Sequence, residues 1–328
     1  MPLLLVPVLY QTASAQSENP AETVALFDTV RWTWSAQAGE TKVVNCAANK
    51  GFYGVCWGDG DLTGYDIADS MAIIHRYKNK GEYEVMLFGI VITVITEDLG
   101  GGVTLKMRKV EGGTFSMGAT SEQGSDAYND EKPVHTVTLD GFYMGETEIT
   151  QAQWRAVMGT NPSSFNKGDN YPVENVSWDE AVQFCEKLSQ KTGRNYVLPT
   201  EAQWEYAARG GKYSKGTKYA GSNTINEVAW YTGNSNNTTH PVAQKEPNEL
   251  GLYDMSGNVD EWCLDRYGSY SSSDATNPTG PGPSAGSARV ERGGNWLEGA
   301  RYCRVSYRYN YSPGYRGSYL GFRVVCLP

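Results

Sequence analysis

Histidine is scarce. The chain holds three, His75, His135 and His240, far apart along 328 residues. A clustered histidine metal site is not expected from such a set. The six cysteines, Cys46, Cys56, Cys185, Cys263, Cys303 and Cys326, include no CxxC or other tight pair, which argues against a structural zinc site. Positive charge is in deficit: 28 Lys+Arg stand against 37 Asp+Glu, for a net charge of -9. That excludes a nucleic-acid binder whose affinity rests on phosphate contacts. Apolar runs are short and mean hydropathy is -0.49, so no transmembrane span is expected in the mature chain.

What the chain has in excess is tyrosine, with 22 against 8 phenylalanines, together with 9 tryptophans and 37 glycines. Aromatics with a polar handle on an irregular backbone suit a loop-rich recognition protein better than an enzyme with a rigid α/β core. The length favours two domains over one. At the start, an apolar run over residues 3–9 precedes Ala13-Ser14-Ala15, a small-x-small pattern of the kind that ends a secretory signal. No basic n-region precedes it, so residues 1–16 read as a signal segment or its remnant. The expected location is therefore outside the cytoplasm, at the cell surface or in the periplasm of a bacterium. An even cysteine count fits disulfides there, and buried free thiols are the competing reading.

Residues 25–100 read as strands by alternation and β-propensity, as in Val30-Arg-Trp-Thr-Trp34, Lys42–Asn45, Glu84–Phe88 and Gly89–Thr96. The segment Cys56-Trp-Gly-Asp-Gly60 and the stretch from His75 to Val85 resemble the motif of PKD-like β-sandwich modules. That resemblance implies a turn at Gly58–Gly60 and a tyrosine corner near Tyr83. Asp59 and Asp61 are better read as turn residues than as calcium ligands. The glycine triplet Gly100–Gly102 reads as a domain boundary.

From Met107 on, the motifs are longer and more specific. Thr150 with Gln153, and Ser177 with Glu180, form capping boxes before helices Gln151–Met158 and Trp178–Lys191. Thr200 caps a third helix that Gly210-Gly211 ends. Then follow Gly251-Leu-Tyr-Asp-Met-Ser-Gly-Asn-Val-Asp-Glu-Trp262, Arg289-Val-Glu-Arg-Gly-Gly-Asn-Trp296 and Gly321-Phe-Arg-Val-Val325. In this order they resemble the formylglycine-generating-enzyme-like (sulfatase-modifying factor) domain, over residues 106–328. The resemblance implies an α+β, C-type lectin-like fold with little regular secondary structure. It also implies a disulfide between Cys185 and Cys326, with Cys263 and Cys303 as a second candidate pair. It further implies a structural calcium loop at Asp254, Gly257, Val259 and Glu261, where two carboxylates and two backbone carbonyls would be hard oxygen ligands. A plain turn with Glu261 paired to an arginine is the competing reading.

The enzymes of this family oxidise a substrate cysteine with copper and oxygen, using two closely spaced cysteines. A thiolate pair suits a soft metal. Here Glu298 stands where the first would be, and Cys303 reads as a framework residue. No catalysis and no catalytic cofactor are expected. A formylglycine-generating oxidase and a carbohydrate-binding lectin remain as alternatives.

Six tyrosines crowd the 18 residues from Tyr302 to Tyr319. The tail resembles the variable region of diversity-generating retroelement proteins, in which adenine-rich codons at the end of a C-type lectin-like domain are mutagenised. That implies a variable region over residues 289–325. Gly293, Gly294, Trp296, Arg304, Arg308 and Arg323 would then be among its framework residues. The implied ligand-binding positions are Leu297, Gly299, Tyr302, Tyr307, Tyr309, Asn310, Tyr311, Ser312, Gly314, Tyr315, Gly317, Ser318 and Tyr319. Each is reachable from AAC or AAT by changing only adenines. Glu298 is counted among the ligand-binding positions with them, although it is not so reachable. The partner would be a protein or a glycan, held as antibody paratopes hold theirs: tyrosine for area, Ser, Gly and Asn for adaptable hydrogen bonds.

Overall fold

Alternation around a glycine triplet builds the first hairpin of the C-terminal domain. Strand Val94–Gly100 pairs antiparallel with Val103–Val110. Gly100, Gly101 and Gly102 all take left-handed φ (86°, 64° and 81°), which side-chain-bearing residues rarely adopt. The triplet expected to separate two domains is therefore a hairpin turn within one sheet. That sheet has six strands, in the order Glu22–Thr23, Val94–Gly100, Val103–Val110, Phe142–Gly145, Val325–Leu327, Asn195–Val197.

The computed structural model describes residues 94–327 throughout and, before them, the backbone of seven strands between Glu22 and Gly89. Val30–Ala36, Gly81–Gly89, Gly51–Cys56 and Leu62–Ile67 form one antiparallel sheet, and Thr41–Cys46 pairs with Met71–Arg76. The segment at 1–16, the turn at 57–61 and the side chains of Tyr83, His75, Cys46 and Cys56 lie outside the described residues.

Four helices follow: α1 (Gln151–Met158), α2 (Trp178–Thr192), α3 (Glu201–Ala208) and α4 (Ile225–Val228). The first three begin at capping boxes on Thr150, Ser177 and Thr200. Gly159 and Gly193 end α1 and α2 in left-handed conformation. On α2 the residues three and four apart, Ala181, Phe184, Cys185 and Leu188, are all buried. They join Trp154 of α1 and Phe322 in a core where three rings meet at 5.3–6.0 Å between centroids. A second core forms around Trp204 and Tyr206 of α3. No helix among the described residues is long and apolar enough to cross a membrane.

A second sheet carries the C-terminal segment. Its order is Arg308–Tyr311, Arg289–Arg292, Asp260–Arg266, Leu320–Gly321, with the last pair parallel. A third sheet joins Gly113–Met117, His135–Leu139 and Ala275–Thr276.

Candidate ligand-binding face

Ladder register divides the second sheet into two faces, because directly opposed residues point to the same side. Arg292 is opposite both Arg308 and Glu261, whereas Glu291 is opposite Tyr309 and Trp262. The first face turns inward. Arg308 pairs both guanidinium nitrogens with the carboxylate of Glu201 on α3, each at 2.7 Å. Arg292 pairs with Glu205 one helical turn on. Arg323 clasps Glu261 with two contacts of 2.6 Å. Arg304, from the turn before the edge strand, takes both oxygens of Glu131 at 2.6 and 2.8 Å. All four arginines are buried. Arg304, Arg308 and Arg323 belong to the framework expected of the tail, Arg292 was not named in it, and each of the four is bound to a carboxylate from elsewhere in the chain.

Tyr309 and Tyr311 lie on the other face, and the tail's tyrosines form two groups. Tyr311 stacks on Tyr315 at 4.1 Å, meets Tyr309 edge-on at 5.4 Å, and places its hydroxyl 3.2 Å from that of Tyr319. Tyr309 is 45% exposed and Leu297 51%. Burial pushes the Tyr311 hydroxyl up to about 12, so it is a neutral donor and acceptor at ordinary pH. The second group is Tyr302, Tyr307 and Tyr128, with ring centroids 5.1–6.3 Å apart and Arg301 over Tyr128 at 3.8 Å. Tyr128 comes from the loop between Gly113–Met117 and His135–Leu139 of the third sheet and was not expected at the site.

Of the expected ligand-binding residues, Ser312 and Gly314 are exposed, and Glu298, Gly299, Tyr302, Asn310, Tyr311, Tyr315, Ser318 and Tyr319 are half-buried. Tyr307 and Gly317 are buried, Tyr307 at 7% exposure. Tyr307 is thus an inward packing residue. The Gly317 carbonyl accepts the Asn175 amide at 2.9 Å. The loop between them is pinned: the Trp178 amide donates to the Pro313 carbonyl, and Arg316 pairs with Glu180 of the α2 cap at 2.8 Å.

The expected disulfides do not form. Cys185, Cys263, Cys303 and Cys326 are four buried free thiols. Cys185 and Cys326 share one apolar core, but Cys326 directs its sulfur to the Leu327 carbonyl. Cys263 and Cys303 lie in separate clusters. Burial, then the charges of Glu298 and Asp260, push the Cys303 thiol up, away from the thiolate that metal binding or nucleophilic attack requires. His135 and His240 are far apart in role: one bonds Pro133, the other bonds Ser235 and stacks on Trp230.

The residues of the expected calcium loop do not fit the ion as a set. Asp254 keeps one buried oxygen without a partner. Glu261, however, gives one oxygen to Arg323 and the other to both Arg323 and Trp204 Nε1. Gly257 is required for another reason: with φ at 81°, a Cβ there would sit 2.4 Å from the Trp230 carbonyl.

A family model of the sulfatase-modifying factor enzyme 1-like domain matches residues 103–327. The chain is 36% identical over 266 residues to chaperone protein LppX of Paenibacillus barcinonensis, covering 66% of this chain and 87% of that one. It is 30% identical over 285 residues to a formylglycine-generating enzyme of Streptomyces coelicolor, again covering 66% and 87%. Among solved structures it is similar to Treponema denticola variable protein 1, at 36% identity and a TM-score of 0.65, over 72% of this chain and 99% of that one. The mixed sheets and few helices are consistent with a formylglycine-generating-enzyme-like domain of C-type lectin-like fold. The chain belongs to the sulfatase-modifying factor enzyme 1-like family.

Proposed function

We propose that this chain is a non-catalytic, exported binding protein whose tyrosine-rich C-terminal face holds a protein or glycan ligand. One observation carries the reading: Tyr309, Tyr311, Tyr315 and Tyr319 form a ring cluster, with Tyr309 exposed, beside a sheet whose opposite side is locked by buried arginine–carboxylate pairs. Rigid aromatics offer contact area at little entropic cost, and a fixed framework limits what binding must order. The name of Treponema denticola variable protein 1 supports the idea that the face varies among copies. Diversification by a retroelement would act on Leu297, Gly299, Tyr309, Asn310, Ser312, Gly314 and Ser318 without touching the framework.

Randomising those seven positions together tests the division of labour. Most clones are expected to fold with midpoints near that of the parent, whereas randomising Arg292, Arg304 and Arg308 is expected to leave few folded clones. Equal tolerance in both sets would refute the reading. In the genome, a near-identical repeat of the 289–325 coding segment, differing at adenines and lying beside a reverse-transcriptase gene, is the expected source of variation. Copper binding with oxygen uptake on a cysteine-containing sulfatase peptide would instead establish the oxidase.

A further inference from the structure

Three carboxylates lie at or beneath the tyrosine face. Asp260 and Glu291 are 2% and 3% exposed. Glu298 stands half-buried at the rim, beside exposed Leu297. Glu291 shares its side of the sheet with Tyr309 and Trp262, and Asp260 lies two residues before Trp262 on the same strand. Asp260 is held by the Asn295 side chain and the Gly294 amide. Glu291 and Glu298 each keep one buried carboxylate oxygen with no hydrogen-bond partner.

Their surroundings contrast with the other side of the sheet, where Glu201, Glu205 and Glu261 all face arginines. Arg289 shares a face with Glu291 but lays its guanidinium over the Trp178 ring at 3.7 Å and donates to the Leu264 carbonyl. Arg301 turns to Tyr128. Burial and mutual repulsion push Asp260 and Glu291 well above the carboxylate range, and burial lifts Glu298 to about 7. Among the described residues these acids are not gathered into a group that could hold a metal ion.

We infer that these carboxylates, with half-buried Glu298 foremost and the unpartnered oxygen of Glu291 behind it, are the counter-charge for one basic side chain of a protein ligand, arginine or lysine, arriving at the face that carries exposed Leu297 and Tyr309. This rests on the proposed binding role of the tyrosine face and adds the chemistry it selects. An arriving guanidinium or ammonium supplies the donor that these acceptors lack within the fold. The tyrosine rings favour the same charge, since a cation over an aromatic face is attracted to it. A ligand that brings only apolar or acidic groups to this spot leaves those oxygens without a partner and is disfavoured.

The test is a random-peptide phage library panned on the full chain and counter-screened against Tyr309→Ala. Tyr309-dependent peptides are expected to carry a basic residue at a shared position. Replacing that residue by glutamine should weaken binding at least about thirtyfold. Glu291→Gln and Glu298→Gln should weaken the basic peptide by a similar factor and leave its glutamine counterpart unchanged, the signature of direct coupling. Should Glu291→Gln fail to fold, Glu298→Gln at the rim carries the comparison. Tyr309-dependent peptides that lack a basic residue, or that ignore both substitutions, would overturn the cation pairing and leave the binding face standing. A library that yields no Tyr309-dependent peptide would remove the binding face, and this inference with it.

Discussion

Arg304 shows how the domain is held at the scale of single residues. Its guanidinium is buried and takes both oxygens of Glu131, while Ser306 and Gln123 complete the set. Breaking one partner of such a pair strands the other charge, at about 3–5 kcal/mol. Glu131→Gln is therefore expected to cost that much in urea unfolding, and Glu131→Leu with Arg304→Met to cost less than Glu131→Gln alone. The arginines were legible as framework in the sequence, but their partners were not, because Glu131 and Glu201 lie far back along the chain. Glu261 was read either as a calcium ligand or as the partner of an arginine, and it pairs with Arg323. Millimolar calcium is accordingly expected to leave the thermal midpoint unchanged, and a rise would mean that Arg323 gives way to the ion. Tyr307 was placed on the ligand face with the other tyrosines; composition alone cannot tell a ring that packs on Tyr128 from one that faces solvent.

At the scale of elements, the α2 cap joins helix and loop. The Ser177 hydroxyl accepts from the Glu180 amide, and Glu180 Oε2 accepts from the Ser177 amide at 2.9 Å. Glu180 Oε1 meanwhile holds Arg316. Ser177→Ala removes one half of the box and is expected to cost about 1 kcal/mol. Glu180→Ala also releases the loop, so faster hydrogen exchange should appear at the Tyr315 amide, which now donates to Ser312. Unchanged exchange there would mean that the Trp178–Pro313 and Asn175–Gly317 bonds hold the loop alone. Helix starts were readable because a cap is a local pattern spanning four residues. Sheet membership was not local: Val94–Gly100 was assigned to the first module, yet it pairs across three glycines with the strand that follows. In Arg289-Val-Glu-Arg292, strand alternation already separates Glu291 from Arg292; what it lacks is the neighbour that fixes which side is outward, and Tyr309 and Arg308 supply that.

For the whole molecule, the balance of buried acids sets how stability follows pH. Burial lifts Asp254 to about 6, Glu174 and Glu298 to about 7, and Asp265, with repulsion from Glu201, to about 8. Each is raised above its unfolded value. Its stabilising contribution is thus full below that value and is lost as pH rises through the folded one. Glu131 and Glu201 run the other way: burial opposes them, but Arg304 with Ser306, and Arg308 with Arg292, hold them below the usual range. Their contribution is present above the unfolded value and lost as pH falls through the folded one. The two groups together place the maximum near about pH 5, with a decline from there to about pH 8. Urea midpoints at pH 5, 6.5 and 8 are expected to fall in that order. Asp265→Asn should flatten the upper part of the slope, because an amide oxygen can still accept the Glu201 amide that Asp265 accepts at 3.0 Å. A midpoint at pH 8 equal to that at pH 5 would show that these carboxylates are ionised in the folded chain, and their charge would then have to be met by cations from solution.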